Sequence, residues 1–198
     1  MRSLFAQRAR GAAALAACLL ALGACTPAGV VVGAGAVTGL SAAEERGIAG
    51  NTADLKTEAE IQEKFFNTDI RLHGAVGVEV YDGRVLLTGA TEDVDLADKA
   101  VRLAWQVDDV KDVINEIQIS KTGITDFVRD SWITGQLRSK MTFDKEILAI
   151  NYSIETVNGI VYLIGIAQDQ KELDRVIAHA NNIKFVRSVV THVRLKKI

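Results

Sequence analysis

The sequence predicts an α+β protein built from two tandem copies of one α-β-β-α-β unit, each with two helices packed on a small three-stranded mixed sheet. Two observations predict this. A shift of 76 residues lays the chain on itself without a gap: 78–89 falls on 154–165, Gly83 on Gly159 and Gly89 on Gly165. The agreement extends outward, with Ile61 and Phe65 meeting Leu137 and Met141, and Val110, Val113, Ile117 and Ile119 meeting Val186, Val189, Val193 and Leu195. Recurrence in register over such a span marks a duplication. The second observation is a turn in each copy, Asp82-Gly83 and Asn158-Gly159, between alternating apolar runs. Both dipeptides supply the positive φ angles of a tight hairpin.

The elements follow in order. Apolar residues recur at helical spacing over 54–67, and residues 76–81 and 85–87 flank the first turn as strands. Asp93 and Asp169 open amphipathic helices over 93–106 and 169–181, where a carboxylate caps orphan amides. Residues 110–120 and 186–195 close the copies as strands. Tyr81, Tyr162 and Trp105 read as core or sheet-face residues. A unit of this size buries a thin core, and only residues 120–125 separate the copies, so the two are expected to pack on each other. The domain boundaries are then 54–120 and 126–198.

Ahead of the repeats the chain changes character. Arg2, Arg8 and Arg10 precede an apolar run from Gly11 to Ala24, and no acidic residue occurs among the first 43. A basic start, a short apolar core and small residues before a cleavage point mark a secretory signal peptide over 1–24. The run is too short to span a bilayer, which takes roughly 20 apolar residues. Its ending, Leu22-Gly23-Ala24-Cys25, resembles the lipobox of bacterial lipoproteins. That resemblance implies a diacylglyceryl and N-acyl lipid on Cys25, palmitate among its chains, as the first residue of the mature protein. An ordinary signal peptide with a chance cysteine, or an uncleaved helix, is the alternative. Residues 26–53 are rich in Gly, Ala and Val, then polar, and hold Pro27, the chain's one proline. The run Gly33-Ala34-Gly35-Ala36-Val37-Thr38-Gly39 lacks the spacing and the βαβ context of a dinucleotide loop, so 25–53 reads as a lipidated start and a flexible tether. With Cys18 removed and Cys25 acylated, no disulfide is available within the mature chain.

The run Gly83-Arg84-Val85-Leu86-Leu87-Thr88-Gly89, its counterpart Gly159-Ile160-Val161-Tyr162-Leu163-Ile164-Gly165, a following helix and a closing valine-rich strand resemble the BON domain family. With the lipobox and the tether, the whole chain is similar to the dual-BON outer-membrane lipoproteins, and the run from Asp130 to Lys140 matches their second-repeat helix closely. The resemblance implies a protein held by lipid in the outer membrane, facing the periplasm. It further implies that the protein binds anionic phospholipid through that helix and supports envelope integrity, stress tolerance and cell division. Thr26 stands where an aspartate often marks retention at the inner membrane.

The residues give that implication a physical basis. On a helix over 126–141, Ile133, Leu137 and Met141 form the core stripe. Trp132 lies on another stripe with Val128, Gly135, Ser139 and, if the helix extends, Phe143. Arg129, Gln136 and Lys140 lie between the two. In the first copy the position of Trp132 is held by Lys56, so the shared fold does not require an aromatic there. A tryptophan flanked by cations suits the membrane headgroup boundary, with Trp132 as wedge and Arg129 and Lys140 as headgroup contacts. Packing of Trp132 between the repeats is the other reading, and both stay open here.

The whole chain has a net charge of −2, with 24% charged residues, which points away from nucleic acid. The average conceals an asymmetry. Residues 54–119 hold 7 Lys/Arg against 15 Asp/Glu, and 126–198 hold 11 against 8. An anionic bilayer attracts the second repeat and repels the first. An alternative partner is a protein of the outer-membrane assembly machinery or a cell-wall regulator docked on the acidic first repeat. Catalysis and metal binding find little support: His73, His179 and His192 show no ligand spacing, Ser131 and Ser139 sit in no nucleophile elbow, and no cofactor is implied beyond the lipid.

Overall fold

The computed structural model describes residues 44–121 and 123–197. The signal peptide, Cys25, the glycine-rich run 33–39 and the tether up to residue 43 lie outside the described residues. None of the helices in the described part is long and apolar enough to cross a membrane.

The first repeat runs α1 (Gly47–Thr68), α2 (Ile70–Ala75), β1 (Val76–Tyr81), β2 (Arg84–Thr91), α3 (Val94–Ala104), β3 (Asp112–Asn115) and β4 (Gln118–Ile119). The second runs α4 (Ile124–Phe143), a short 3-10 turn (Ala149–Asn151), β5 (Tyr152–Val157), β6 (Ile160–Ala167), α5 (Gln170–Asn181) and β7 (Ser188–Leu195). In each sheet the hairpin strands pair antiparallel and the closing strand joins the middle one in parallel, so the predicted mixed sheets form. The helix between them, α3 or α5, makes the crossover that a parallel pair requires. Asp93 and Asp169 cap these helices, accepting from the amides of Leu96 and Glu172.

The hairpin turns are held by the helices in front of them. Asp54 accepts from the amides of Asp82 and Gly83 at 2.8 and 2.9 Å, and Asp130 accepts from those of Asn158 and Gly159 at 2.6 and 2.8 Å. Asp82 and Asn158 both have the positive φ that the turn demands. The distal glycines have a steric reason. A Cβ on Gly89 or Gly165 would stand 2.0 Å from the carbonyl oxygen of Ala75 or Asn151, where the chain enters β1 or β5.

Each repeat has its own core, Ile61, Phe65 and Leu72 with the inward residues of β1 and β2 in one, and Ile133, Leu137 and Met141 with those of β5 and β6 in the other. The opposite faces of the two sheets pack together through Tyr81, Leu86, Tyr162 and Ile164, as expected from the short linker. Burial on both faces explains the unbroken apolar runs of β2 and β6. Polar contacts close the seam: Arg84 donates to the His192 carbonyl at 2.8 Å, and Gln118 to the Val157 carbonyl and the Tyr162 hydroxyl. Residues related by the duplication meet across it. Glu116 and His192 lie 2.8 Å apart, and Glu79 hydrogen-bonds Glu155.

Several details depart from the sequence reading. Helix α1 begins at Gly47 rather than at 54, because Arg46 stacks on the Tyr81 ring and donates to Asp54 and the Val80 carbonyl, while Glu45 pairs with Lys196. The chain expected to be tether up to residue 53 is therefore fastened to both repeats from Glu44 onward. A separate helix, α2, is inserted before β1. The closing strand of the first repeat is split into β3 and β4, where the Asn115 side chain accepts from the Ile117 amide. Trp105 is not a core residue. It caps the C-terminus of α3 and is 52% exposed, the buried positions around it being filled by Leu103, Ala104 and Val107.

Candidate membrane-docking face

Helix α4 is fixed in rotation by what it buries. Ile133, Leu137 and Met141 are fully buried, Asp130 is pinned to the hairpin turn, and Thr134 shares a 2.7 Å hydrogen bond with Thr156 of β5. Gly123 precedes the helix, and the Asp126 carboxylate accepts from its amide and from Arg129. With this phase set, Val128, Trp132, Gly135, Gln136, Ser139, Lys140 and Phe143 face outward, and Arg129 is half-buried beside them. Val128, Trp132 and Phe143 are 62%, 44% and 84% exposed, so Trp132 does not pack between the repeats. The outward stripe from Trp132 to Phe143 runs about 16 Å at 1.5 Å per residue. At its C-terminal end Ser139, Lys140, Phe143 and Lys145 line an open depression of about 560 Å³ with Asp144 and His179. His179 itself pairs with Asp144 at 2.7 Å.

Two further residues, in the loop between α5 and β7, join this face. Phe185 is 51% exposed and meets Trp132 edge-on, ring centroids 6.1 Å apart. Over the Phe185 ring lie the Arg129 guanidinium at 5.5 Å and the Lys184 ammonium at 4.7 Å. The result is an exposed aromatic pair with two cations at its rim. Neither Lys184 nor Phe185 was singled out from the sequence, yet a signal was present. The 76-residue shift puts Lys184 on Asp108 and Phe185 on Asp109. The positions where the second repeat replaces charge by aromatic, Lys56 by Trp132 and Asp109 by Phe185, come together in the fold.

No group of three His, Cys, Asp or Glu side chains among the described residues is placed to hold a metal ion. The BON domain profile matches residues 53–121 and 129–197. The chain belongs to the BON domain family. It is 33% identical over 166 residues to the outer membrane lipoprotein DolP of Haemophilus influenzae, covering 81% of this chain and 83% of that protein. An uncharacterized protein of the gshII 5' region of Anaplasma centrale is 44% identical over 135 residues, 66% of this chain and 89% of that one. The osmotically-inducible protein Y of Escherichia coli is 26% identical, covering 73% of this chain and 71% of that protein. The two BON matches coincide with the two repeats seen here, each on its own core.

Proposed function

We propose that this BON protein is a lipid-anchored envelope protein, held by Cys25 in the outer membrane and facing the periplasm, whose second repeat docks on anionic phospholipid through the outer face of α4. The observation that carries the reading is the exposed Trp132 beside Phe185, whose ring carries two cations, where the first repeat has Lys56 and Asp109. Indole and phenyl rings suit the boundary between headgroup and acyl chain, and Lys and Arg stems reach from it to phosphates. The lipobox and the similarity to an outer membrane lipoprotein support the anchor and the compartment. With the anchor in place, docking is intramolecular and a weak contact suffices. In this reading the protein serves envelope integrity and cell division by holding its two-repeat body against the membrane.

Flotation of the soluble chain beginning at Thr26 tests the proposal. Vesicles of phosphatidylethanolamine with phosphatidylglycerol should carry the protein upward, and neutral phosphatidylcholine vesicles should not. Trp132→Lys, which writes the first-repeat residue back, should lower anionic binding by at least about tenfold, the loss of one buried aromatic. Equal flotation of both forms, or none with wild type, would instead direct attention to a protein partner on the acidic first repeat, where Trp105 and Phe66 stand exposed.

A further inference from the structure

Phe185 has φ 74°, a left-handed backbone that bulky side chains rarely adopt. The fold itself imposes that conformation. Asp109 of the first repeat has φ 66°, and in both repeats the next residues turn back onto the hairpin: Lys111 donates to the Gly83 carbonyl and Arg187 to the Gly159 carbonyl, each at 2.8 Å. Aspartate tolerates the left-handed region because its short polar side chain bonds locally. Phenylalanine has no such compensation, and at 51% exposure it is no part of the buried core of its repeat. A strained residue that packing does not explain points to a function.

The charges around the ring sharpen this. Lys184 forms no ion pair among the described residues, and its ammonium shares one exposed phenyl ring with the Arg129 guanidinium. Arg129 already has the Asp126 carboxylate at 3.2 Å, so Lys184 is the cation of the two whose ammonium is left for an outside anion. Charge complementarity and the acylated cysteine that the sequence places ahead of the body favour a membrane-borne phosphate as the occupant.

We propose that the loop carrying Lys184 and Phe185 is a second jaw of the docking face: Phe185 inserts beside Trp132, and Lys184 meets the phosphate of an anionic lipid headgroup. This rests on the membrane reading of α4 and adds to it that part of the charge selectivity resides in the α5–β7 loop, outside the helix. The face then grips lipid from two elements, which fixes its tilt as well as its affinity.

The double variant Lys184→Asp with Phe185→Asp restores the first-repeat sequence in a backbone that suits it. It should melt at the same or a higher temperature than wild type. At the same time its binding to phosphatidylglycerol-containing vesicles should fall at least about tenfold, since the variant loses the ring and shifts the local charge by three units. Lys184→Gln, which leaves the backbone untouched, should lose part of the binding and reduce its salt dependence, and serves if the double variant folds poorly. Phe185→Asn should raise the melting temperature and weaken binding without altering charge. Unchanged anionic binding in all three, with wild type bound, would overturn the second jaw and leave α4 standing alone. A lower melting temperature for Phe185→Asn with undiminished binding would make Phe185 a packing partner of Trp132 and would also overturn it. Absence of wild-type binding would be the failure of the membrane reading itself.

Discussion

Gly135 and Gly165 show how differently one residue type is used within a repeat. A Cβ at Gly165 would strike the Asn151 carbonyl at 2.0 Å, on a backbone with φ 151°. Gly165→Ala should therefore destabilise the protein by more than about 3 kcal/mol, strain and overpacking together, which a urea titration would report. At Gly135 a Cβ would meet nothing within 4 Å. Gly135→Ala should stabilise by up to about 1 kcal/mol through helix propensity alone, so this glycine is not required by packing. Asp130 stands between these cases. Asp130→Ala would strip the Gly159 amide, which is buried, and the half-buried Asn158 amide of their acceptor, a loss of about 2–4 kcal/mol, and would loosen α4 from the turn. Vesicle binding should then fall together with stability, whereas Gly135→Ala should leave the docking side chains where they are.

At the scale of elements, the seam between the sheets stores a pH dependence. Burial first, then the neighbouring Glu79 charge, raises the Glu155 carboxyl to about 8. Burial likewise raises Glu79, and burial with the Glu79 charge raises Glu58 to about 7. Ser153, Arg138 and Arg46 face the same cluster and favour the ionised form of Glu79. Folded pKa values above the unfolded ones mean that the native state holds more protons. Its stability from these groups is complete below about pH 4.5 and is lost as pH rises through about 8. Thermal melts should show a lower Tm at pH 8.5 than at pH 5.5, and Glu155→Gln should flatten the difference. An unchanged slope in that variant would mean that the two carboxyls do not share a proton across the seam.

The caps at Asp93 and Asp169, the hairpins and the parallel closing strands were legible because each is a local signal repeated twice. The early start of α1 was not, since it depends on Arg46 reaching Tyr81 and Glu45 reaching Lys196, contacts set only once both repeats have folded. Trp105 was misplaced because an aromatic near the end of an amphipathic helix reads as core until the last turn's phase is known. On the candidate face, the stripe on α4 was legible from helical spacing and from the contrast with Lys56. Phe185 was hidden because it lies far along the chain in a turn, although the same contrast with Asp109 would have revealed it.

For the whole molecule, charge and attachment act together. The first repeat is strongly acidic and the second mildly basic, so an anionic surface orients the body with the second repeat inward. The chain enters the body at Glu45, whose carboxylate accepts from Lys196 and Gln168, and these lie at the end of the second sheet opposite the Asn158-Gly159 turn that holds α4. The 18 residues between Cys25 and Glu44 extend to about 60 Å at most, enough for the proposed anchor at Cys25 and the proposed docking face to reach one bilayer together. Raising salt should release the body while leaving the anchor in place, and fractionation of membranes in low and high salt with cross-linking at Ser139→Cys would show it.

The most direct test of membrane docking is the emission of Trp132 in the chain beginning at Thr26, with Trp105→Phe removing the other indole. The account predicts red, solvent-like emission in buffer, a blue shift on phosphatidylglycerol-containing vesicles, none on neutral ones, and reversal by salt. Emission that stays the same with every vesicle would contradict it, because a wedge that enters no membrane is not a wedge.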